Sequence, residues 1–149
     1  MIVSDATSLI VLSNLQKLEL LEIFEKVYIV RNVYDELEAK KEIKLPPFFE
    51  IVECKNDLYL DLLYILDAGE SEAIAFAKKE GLPLLIDEKK GRKVAKDLGI
   101  AHFGLIGLFC LLIEKGFLTK QEALQFLDQA IFKGFRISLK LYQDFIDKC

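Results

Sequence analysis

Hydrophobic residues along the chain alternate between short continuous runs and longer segments with helical spacing. The short runs predict five β-strands, at residues 2–4, 27–30, 51–52, 82–86 and 100–103. The longer segments predict helices at 7–21, 33–41, 58–66, 70–79, 89–98, 105–115, 119–134 and from 138 onward. Strands that alternate with helices indicate right-handed crossovers and a parallel sheet. We therefore expect an α/β fold with three layers, α/β/α, around a central parallel sheet of about five short strands.

Residues at the ends of the predicted helices support these bounds. Thr7 and Asn32 are expected N-caps, and Thr119 and Glu122 have the spacing of a capping box. Gly81 is expected to end its helix. No repeat, low-complexity segment or linker divides the chain, so we expect one domain over residues 1–149.

The composition limits the classes of protein to which the chain can belong. It has 149 residues, of which 52% are hydrophobic and 30% charged, as in a folded domain rather than a disordered tail. No run approaches the ~20 uncharged apolar residues of a membrane span, and the N-terminus lacks the basic region of a secretory signal. We expect a cytoplasmic protein with no membrane partner.

The scarcity of His and Cys narrows the chemistry. Cys54, Cys110 and Cys149 are far apart and odd in number, which argues against a disulfide framework and a zinc site. Cys110 is expected to be a small core residue. His102 is the one histidine, and no Ser or Cys has the context of a nucleophile elbow. If the protein is an enzyme, carboxylates must perform the catalysis.

Four carboxylates from distant parts of the sequence are expected to converge at one sheet edge. Asp5 and Asp87 each follow a predicted strand, and Glu36 and Glu70 lie in the first turns of helices that begin at that edge. Each also has a structural interpretation. Acids such as Glu36 and Glu70 are favoured in the first turn of a helix by ~0.3–1 kcal/mol, and an Asp that ends a strand can accept hydrogen bonds from the following turn. Asp67 and Glu70 additionally have capping-box spacing.

A cluster of carboxylates must hold protons or bind a cation, because two like charges ~4 Å apart repel by about 4 kcal/mol at an effective dielectric constant near 20. With only oxygen ligands, Mg²⁺ or Mn²⁺ is the expected cofactor, which can polarise a phosphoryl oxygen and activate water. A basic helical face follows directly and suits a nucleic-acid backbone, although a solvated surface is the alternative. Its residues are Lys89, Arg92, Lys93 and Lys96.

Five ordered segments of the chain resemble the PIN-domain ribonucleases, in particular the short bacterial and archaeal PIN-like proteins. The segments are SDATSLIVL, VYDELEAK, DAGESEAIAFAKKEG, LLIDEKKGRKVAKDLGI and HFGLIGLFCLLIEKG, the last followed by GFRIS. The resemblance implies that Asp5, Glu36, Glu70 and Asp87 are catalytic metal ligands, and that Thr7 is a supporting hydroxyl. It also implies a metal-dependent endoribonuclease with an RNA substrate, often the toxin paired with an antitoxin protein.

Two features depart from the PIN pattern and keep alternatives open. Leu105 stands where the family commonly has a Thr or Ser, and Asp67 and Glu72 lie close enough to Glu70 in sequence to compete for the third acidic position. A non-catalytic PIN-like module that binds RNA or protein is therefore the main alternative, and a receiver-type signalling domain is a more distant one. The apolar last three helices are expected to pack mostly in the core, with a homodimer as a further expectation.

Overall fold

A five-stranded, all-parallel sheet forms the centre of the protein in the computed structural model, which describes residues 1–40 and 43–149. The strands are β1 (Ile2–Ser4), β2 (Val27–Val30), β3 (Phe49–Val52), β4 (Leu84–Leu85) and β5 (His102–Phe103). Their order across the sheet is β3-β2-β1-β4-β5. All five predicted strands are present, with β4 and β5 shorter than predicted, and the sheet is parallel as expected.

Helices surround the sheet and complete the three-layer α/β/α architecture predicted from the sequence. They are α1 (Ala6–Asn14), α2 (Arg31–Ala39), α3 (Asp57–Leu62), α4 (Ala68–Glu80), α5 (Lys89–Asp97), α6 (Leu105–Glu114), α7 (Lys120–Phe132) and α8 (Leu139–Lys148). None of the helices in the described part of the chain has the length and apolar composition needed to span a membrane.

The strand order reverses between β1 and β4, and this position locates the candidate site. The chain runs from β1 outward to β2 and β3, then returns to the other side of β1 to form β4 and β5. In an open α/β sheet, ligands bind beyond the carboxyl ends of the strands at such a reversal. Asp5 follows β1 and Asp87 follows β4, so both residues stand at this point.

The core explains why these short strands are stable. Leu84, Leu85 and Ile86 are fully buried, as are Val3 and Ile29 in the neighbouring strands. Strands covered on both faces need continuous apolar sequence rather than alternation, which is the pattern of the short runs. The sheet is therefore a rigid base from which the loops at its carboxyl edge project.

Four expectations about helix boundaries are wrong. The helix predicted over 58–66 is α3, which ends at Leu62. The predicted helix over 7–21 is two elements, α1 and a 3₁₀ helix over Leu18–Phe24, separated by Gln16 with φ of 57°. The N-cap of α1 is Asp5 rather than Thr7, since the Asp5 side chain accepts from the Ser8 N–H. Asn32 lies inside α2, whose N-cap is Val30. The predicted extension of this helix to Lys41 lies outside the described residues.

The cysteines also differ from expectation. Cys110 of α6 and Cys149 form a disulfide, with their Cα atoms 5.4 Å apart, so the argument against disulfides from spacing is wrong for this pair. The separation in sequence is 39 residues, and only the packing of α8 against the domain brings the two together. Cys54 is free and buried. The C-terminal helix is thus tied covalently to α6.

The last three helices bury part of their apolar surface, as predicted, and expose the rest. Leu112, Leu127 and Phe145 are buried. Phe117, between α6 and α7, and Phe132, at the end of α7, are exposed, with 91% of Phe132 accessible. The capping box of Thr119 and Glu122 at the start of α7 is present, with both reciprocal hydrogen bonds formed.

Candidate functional site

Asp5 and Asp87 are joined to each other through the backbone at the reversal point. The Asp5 carboxylate accepts from the Ser8 N–H at 2.9 Å and from the Asp87 N–H at 2.9 Å. Asp87 accepts from the Ser8 hydroxyl at 2.5 Å through Oδ2, and from the Leu105 N–H at 3.1 Å through Oδ1. Each carboxylate therefore has a fixed orientation set by neighbouring elements.

Ser8 is a residue that the sequence interpretation missed. Its backbone N–H holds Asp5 while its hydroxyl holds Asp87, so one buried residue of α1 positions both acids. The spacing of three residues from Asp5 is typical of an N-cap and the N–H that it accepts, and could have indicated the first contact. The second contact depends on the packing of β4 beside β1, which no local pattern reveals.

An acidic cleft of about 290 Å³ lies at the carboxyl edge of the sheet, and we use this name for it throughout. Its carboxylates are Asp5, Glu36, Asp67, Glu70 and Glu88, and its other lining residues are Ala6, Thr7, Val33 and Gly69. The structure thus brings together three of the four acids that the sequence predicted to converge. Asp87 does not line this cleft but an adjoining one, while Glu88, which was not predicted, does.

The predicted supporting residue Thr7 lies between these features. Its hydroxyl donates to Glu88 Oε1 at 3.3 Å, rather than to Asp5. Thr7 and Glu88 line both the acidic cleft and the adjoining cleft, so the two clefts meet at this pair. The contact explains why Glu88, one residue beyond the predicted acid, reaches the site.

Three of the five carboxylates of the cleft, those of Asp5, Glu36 and Glu70, have a raised pKa. Burial, followed by the charge of Asp87, raises the pKa of Asp5 to about 7 despite the hydrogen bonds that it accepts. Burial and then the charges of Asp67 and Glu88 raise the pKa of Glu70 to about 7. The pKa of Glu36 is raised as well, first by partial burial and then by Asp67. Such shifts mean that a cation in the cleft would be bound favourably.

The pKa of Asp87 is raised as well, but its neighbours oppose the rise. Burial raises its pKa, while the Ser8 hydroxyl, the Leu105 N–H and the Arg92 guanidinium oppose the rise. Gly104 permits this arrangement, because a Cβ at that position would lie 2.7 Å from Asp87 Oδ1 and 3.3 Å from Arg92 Nη1. A backbone N–H at Leu105 therefore contacts the acid although its side chain has no hydroxyl.

The competing acids near Glu70 have other roles. Asp67 is the N-cap of α4, and its Oδ1 accepts from the Glu70 N–H at 2.8 Å. Glu72 is fully buried away from the cleft, and accepts from the N–H groups of Asn32 and Cys54. Glu72 is thus on a different face of α4, as predicted, and Glu70 is the acid of this helix whose carboxylate faces the cleft.

The donor set of the cleft suits a hard divalent cation. Carboxylate oxygens are the ligands that Mg²⁺ and Mn²⁺ prefer, and Mg²⁺ keeps several waters while using only one or two carboxylates. Among residues 1–40 and 43–149, no three Asp, Glu, His or Cys side chains lie close enough together to hold a metal ion. The chemistry of the residues therefore fits such a cation, while a preformed cage of three ligands is absent from this part of the chain.

A basic groove of about 770 Å³ runs between α5 and β5. It is lined by Lys89, Lys90, Arg92, Lys93, Lys96, His102 and Phe103. All four cations predicted to share a helical face line this groove, and Arg92 links it to Asp87. The groove combines positive charge with one aromatic ring, which are the features of a surface that binds single-stranded nucleic acid.

The fold and the site define a three-layer α/β protein with acidic residues at the reversal of strand order. Its order 3-2-1-4-5 differs from the 2-1-3-4-5 order of receiver domains, which excludes that alternative. Residues 1–149 match a family model described as a PIN domain, and the chain belongs to that family. No curated protein and no solved structure matches it. PIN domains are generally nucleases, so the protein has a nuclease-type fold.

Proposed function

We propose that this PIN domain is a divalent-metal-dependent endoribonuclease. The observation that carries the proposal is the acidic cleft, located at the reversal of strand order and next to a basic groove. In this proposal the catalytic and metal-binding acids are Asp5, Glu36, Glu70 and Asp87, and Thr7 supports them. Glu88 is an additional candidate ligand because it lies in the same cleft.

In this proposal the carboxylates of the site have separate roles in binding the cation. When bound, Mg²⁺ or Mn²⁺ would polarise a phosphoryl oxygen and lower the pKa of water. Asp5 is oriented by two backbone N–H groups and Asp87 by one N–H and one hydroxyl, so neither has to reorganise when a cation arrives. Glu36 and Glu70 add two further carboxylates to the lining of the cleft.

The basic groove supplies the contacts to RNA. Lys89, Arg92, Lys93 and Lys96 would hold phosphates of the backbone, which offsets the net charge of −4 that the whole chain has. Of these four cations, Arg92 is the one whose charge lowers the pKa of Asp87. A strand of RNA in the groove would therefore reach the acids through Arg92.

A cleavage assay with matched variants tests the proposal. Purified protein is incubated with single-stranded RNA and Mn²⁺, alongside Glu36→Gln, Asp87→Asn and the control Glu38→Gln. Glu38 is exposed, on the same helix as Glu36, and does not line the acidic cleft. We expect Glu36→Gln and Asp87→Asn to lose at least roughly 100-fold in rate, while Glu38→Gln cuts like the wild type. Equal cleavage by all four proteins would contradict the assignment.

A non-catalytic PIN-like module that binds RNA or protein is the second candidate. It is favoured by the lack of a three-ligand group among residues 1–40 and 43–149 and by the absence of a hydroxyl at Leu105. Binding of RNA without any Mn²⁺-dependent cleavage by the wild type would support this candidate. The matched variants then separate the two, because a binding module loses no cleavage when the acids are replaced.

The toxin role, the cellular location and the oligomeric state are further predictions that accompany this proposal. The toxin role with a cognate antitoxin protein stays a prediction from the family resemblance. The cytoplasmic location stays a prediction from the N-terminal sequence, and the homodimer stays one from the apolar last three helices. Expression of the chain in a bacterial host, compared with the Asp87→Asn variant, tests the toxin role. Growth arrest by the wild type alone is expected, and equal growth of both strains would contradict it.

A further inference from the structure

The segment Gly134-Phe135-Arg136, singled out in the sequence and unused by the acidic cleft, forms one wall of the adjoining cleft. This flanking cleft, about 420 Å³ in volume, is bounded on the other side by α1. Its lining residues are Thr7, Ile10, Val11, Asn14, Asp87, Glu88, Lys133, Gly134, Phe135 and Arg136. Its volume lies within the range of small-ligand sites, which suits a single nucleotide rather than a duplex.

The end of α7 holds this wall in place. Gly134 has φ of 112°, which lets the chain reverse direction after α7, and the Phe135 N–H donates to the Ala130 carbonyl at 2.9 Å. The Lys133 ammonium donates to the Asn14 carbonyl at 2.7 Å and so ties the segment to α1. Phe135 is half-buried against the core. The aromatic ring is therefore presented from an anchored turn.

Acidic and basic side chains line different parts of the flanking cleft. Asp87 and Glu88 stand at the end next to the acidic cleft, and Lys133 and Arg136 stand on the α7 side. Arg136 is exposed and takes part in no ion pair within the described ranges 1–40 and 43–149. A guanidinium without a partner, beside an anchored ring, can bind one phosphate and one base at the same time.

We propose that the flanking cleft binds the nucleotide next to the phosphate that the acids act on, with Arg136 on a backbone phosphate and Phe135 stacked on a base. The inference rests on the proposed ribonuclease function, since it uses the continuity of the two clefts at Thr7 and Glu88. Single-stranded RNA is the ligand, because its unpaired bases can leave the backbone and stack on an aromatic ring.

Binding of a labelled single-stranded RNA of about 12 nucleotides, followed by fluorescence anisotropy, tests the inference. The buffer contains Ca²⁺, which takes the same carboxylate oxygens as Mg²⁺ in a looser geometry, and a gel confirms that the RNA stays intact. Arg136→Gln is compared with Arg31→Gln, because Arg31 pairs with Glu53 and lines neither cleft. Phe135→Leu is compared with Phe132→Leu, whose ring is exposed outside the flanking cleft.

We expect Arg136→Gln to raise the Kd roughly tenfold and to reduce the slope of log Kd against log salt by about one. Phe135→Leu should raise the Kd roughly fivefold with the slope unchanged, because stacking is not electrostatic. Both controls should stay within about twofold of the wild type. Equal Kd values and slopes for Arg136→Gln and Arg31→Gln would overturn the inference, even if Phe135→Leu fails to fold.

Further outcomes separate this inference from the proposed function. If the wild type cuts RNA with Mn²⁺ and Arg136→Gln has an unchanged KM, the inference fails while the function stands. If the wild type binds RNA in an Arg136-dependent way and never cuts it, the function fails while the binding site stands. Arg136-dependent binding of a polyglutamate peptide, with no binding of RNA, would assign the flanking cleft to an acidic protein and overturn the inference.

Discussion

Glu70 and Glu72 lie two residues apart on α4 and have opposite surroundings. Glu72 is fully buried, and its carboxylate accepts from the backbone N–H groups of Asn32 and Cys54 and from Asn32 Nδ2, at distances of 2.8–3.0 Å. Glu70 is half-buried in the acidic cleft, where burial and the charges of Asp67 and Glu88 raise its pKa to about 7. One carboxylate is supplied with donors, and the other faces like charges.

The difference separates the roles of these two acids of α4. Glu72 joins α4 to the start of α2 and to the end of β3, so its charge is used in holding the fold together. Glu70 has no comparable hydrogen-bond donor among the described residues, and a cation would offset the charges that it faces. Burial alone does not identify a functional acid, because the more buried of the two has the structural role.

Replacing Glu72 should have the largest effect on stability. Glu72→Ala leaves the buried N–H of Cys54 and the partly buried N–H of Asn32 without an acceptor, so we expect a loss of about 3–5 kcal/mol in the free energy of unfolding. Urea denaturation at neutral pH measures it, with the exposed Glu80→Ala at the end of α4 as control. A loss below about 1 kcal/mol would show that Glu72 is not the structural acid of the comparison.

Removal of the Ser8 hydroxyl should have the next largest effect. Ser8→Ala deletes the donor to Asp87, so we expect a loss of about 2 kcal/mol at pH 8. Losing this donor raises the pKa of Asp87 further, so the stability that the contact provides is lost as the pH falls through that pKa. The same substitution at Ser13, also on α1, is the control. An equal loss at pH 4 and pH 8 would contradict the electrostatic origin.

A divalent cation should stabilise the protein more at high pH than at low pH. The pKa values of Asp5 and Glu70 are raised to about 7 in the folded protein, so between their ordinary values and 7 the folded state binds more protons than the unfolded state. Without metal, stability therefore falls as the pH rises through this window. Mn²⁺ at about ten times its Kd should add about 1.4 kcal/mol at pH 8 and clearly less at pH 5.5.

Thermal denaturation with and without Mn²⁺ at the two pH values gives this measurement. Asp5→Asn should lose most of the Mn²⁺-induced rise in Tm, and Glu38→Gln should keep it. A rise that is the same at pH 5.5 and pH 8 would mean that the cation does not compete with protons on these carboxylates. The acidic cleft would then not be the site at which Mn²⁺ stabilises the protein.

The smallest effect is expected for Glu70 itself in the absence of metal. Glu70→Gln removes a charge that the cleft disfavours, and we expect a gain of about 1 kcal/mol at pH 8 after discounting for its partial exposure to solvent. The gain should disappear at pH 5, where Glu70 is protonated in the folded protein. Glu80→Gln on the same helix is the control. A loss of stability at pH 8 would place Glu70 with Glu72 as a structural acid.

Much of the fold could be predicted from local pattern. The continuous apolar runs gave the five strands, and their alternation with helices gave the parallel three-layer sheet, because buried parallel strands require such runs. The caps at Thr7 and Asn32 were wrong. Asp5 caps α1 with its side chain, and α2 begins at Arg31 after Val30, which makes no side-chain capping hydrogen bond. The disulfide of Cys110 and Cys149 was missed because no spacing rule links two residues that only α8 packing brings together.

The candidate site, like the fold, was predicted only in part from the sequence. Asp5, Glu36 and Glu70 could be assigned to one edge, because the ends of parallel strands and the starts of the following helices must lie there. Ser8 and Glu88 were missed, because their contacts with Asp87 and Thr7 join residues about 80 positions apart. Asp87 was assigned to the correct edge, but its side chain is drawn into the flanking cleft by Ser8 and Leu105.

The sequence by itself determined the kind of sheet and the edge at which the acids stand, since these depend on periodicity and residue type. Tertiary structure alone decided which acid receives hydrogen-bond donors and which faces other charges. The hydrogen bonding and the pKa of a carboxylate depend on the groups within a few ångströms of it. In this protein those groups come from distant segments of the chain. Glu70 and Glu72 differ for that reason, although they share a helix and a residue type.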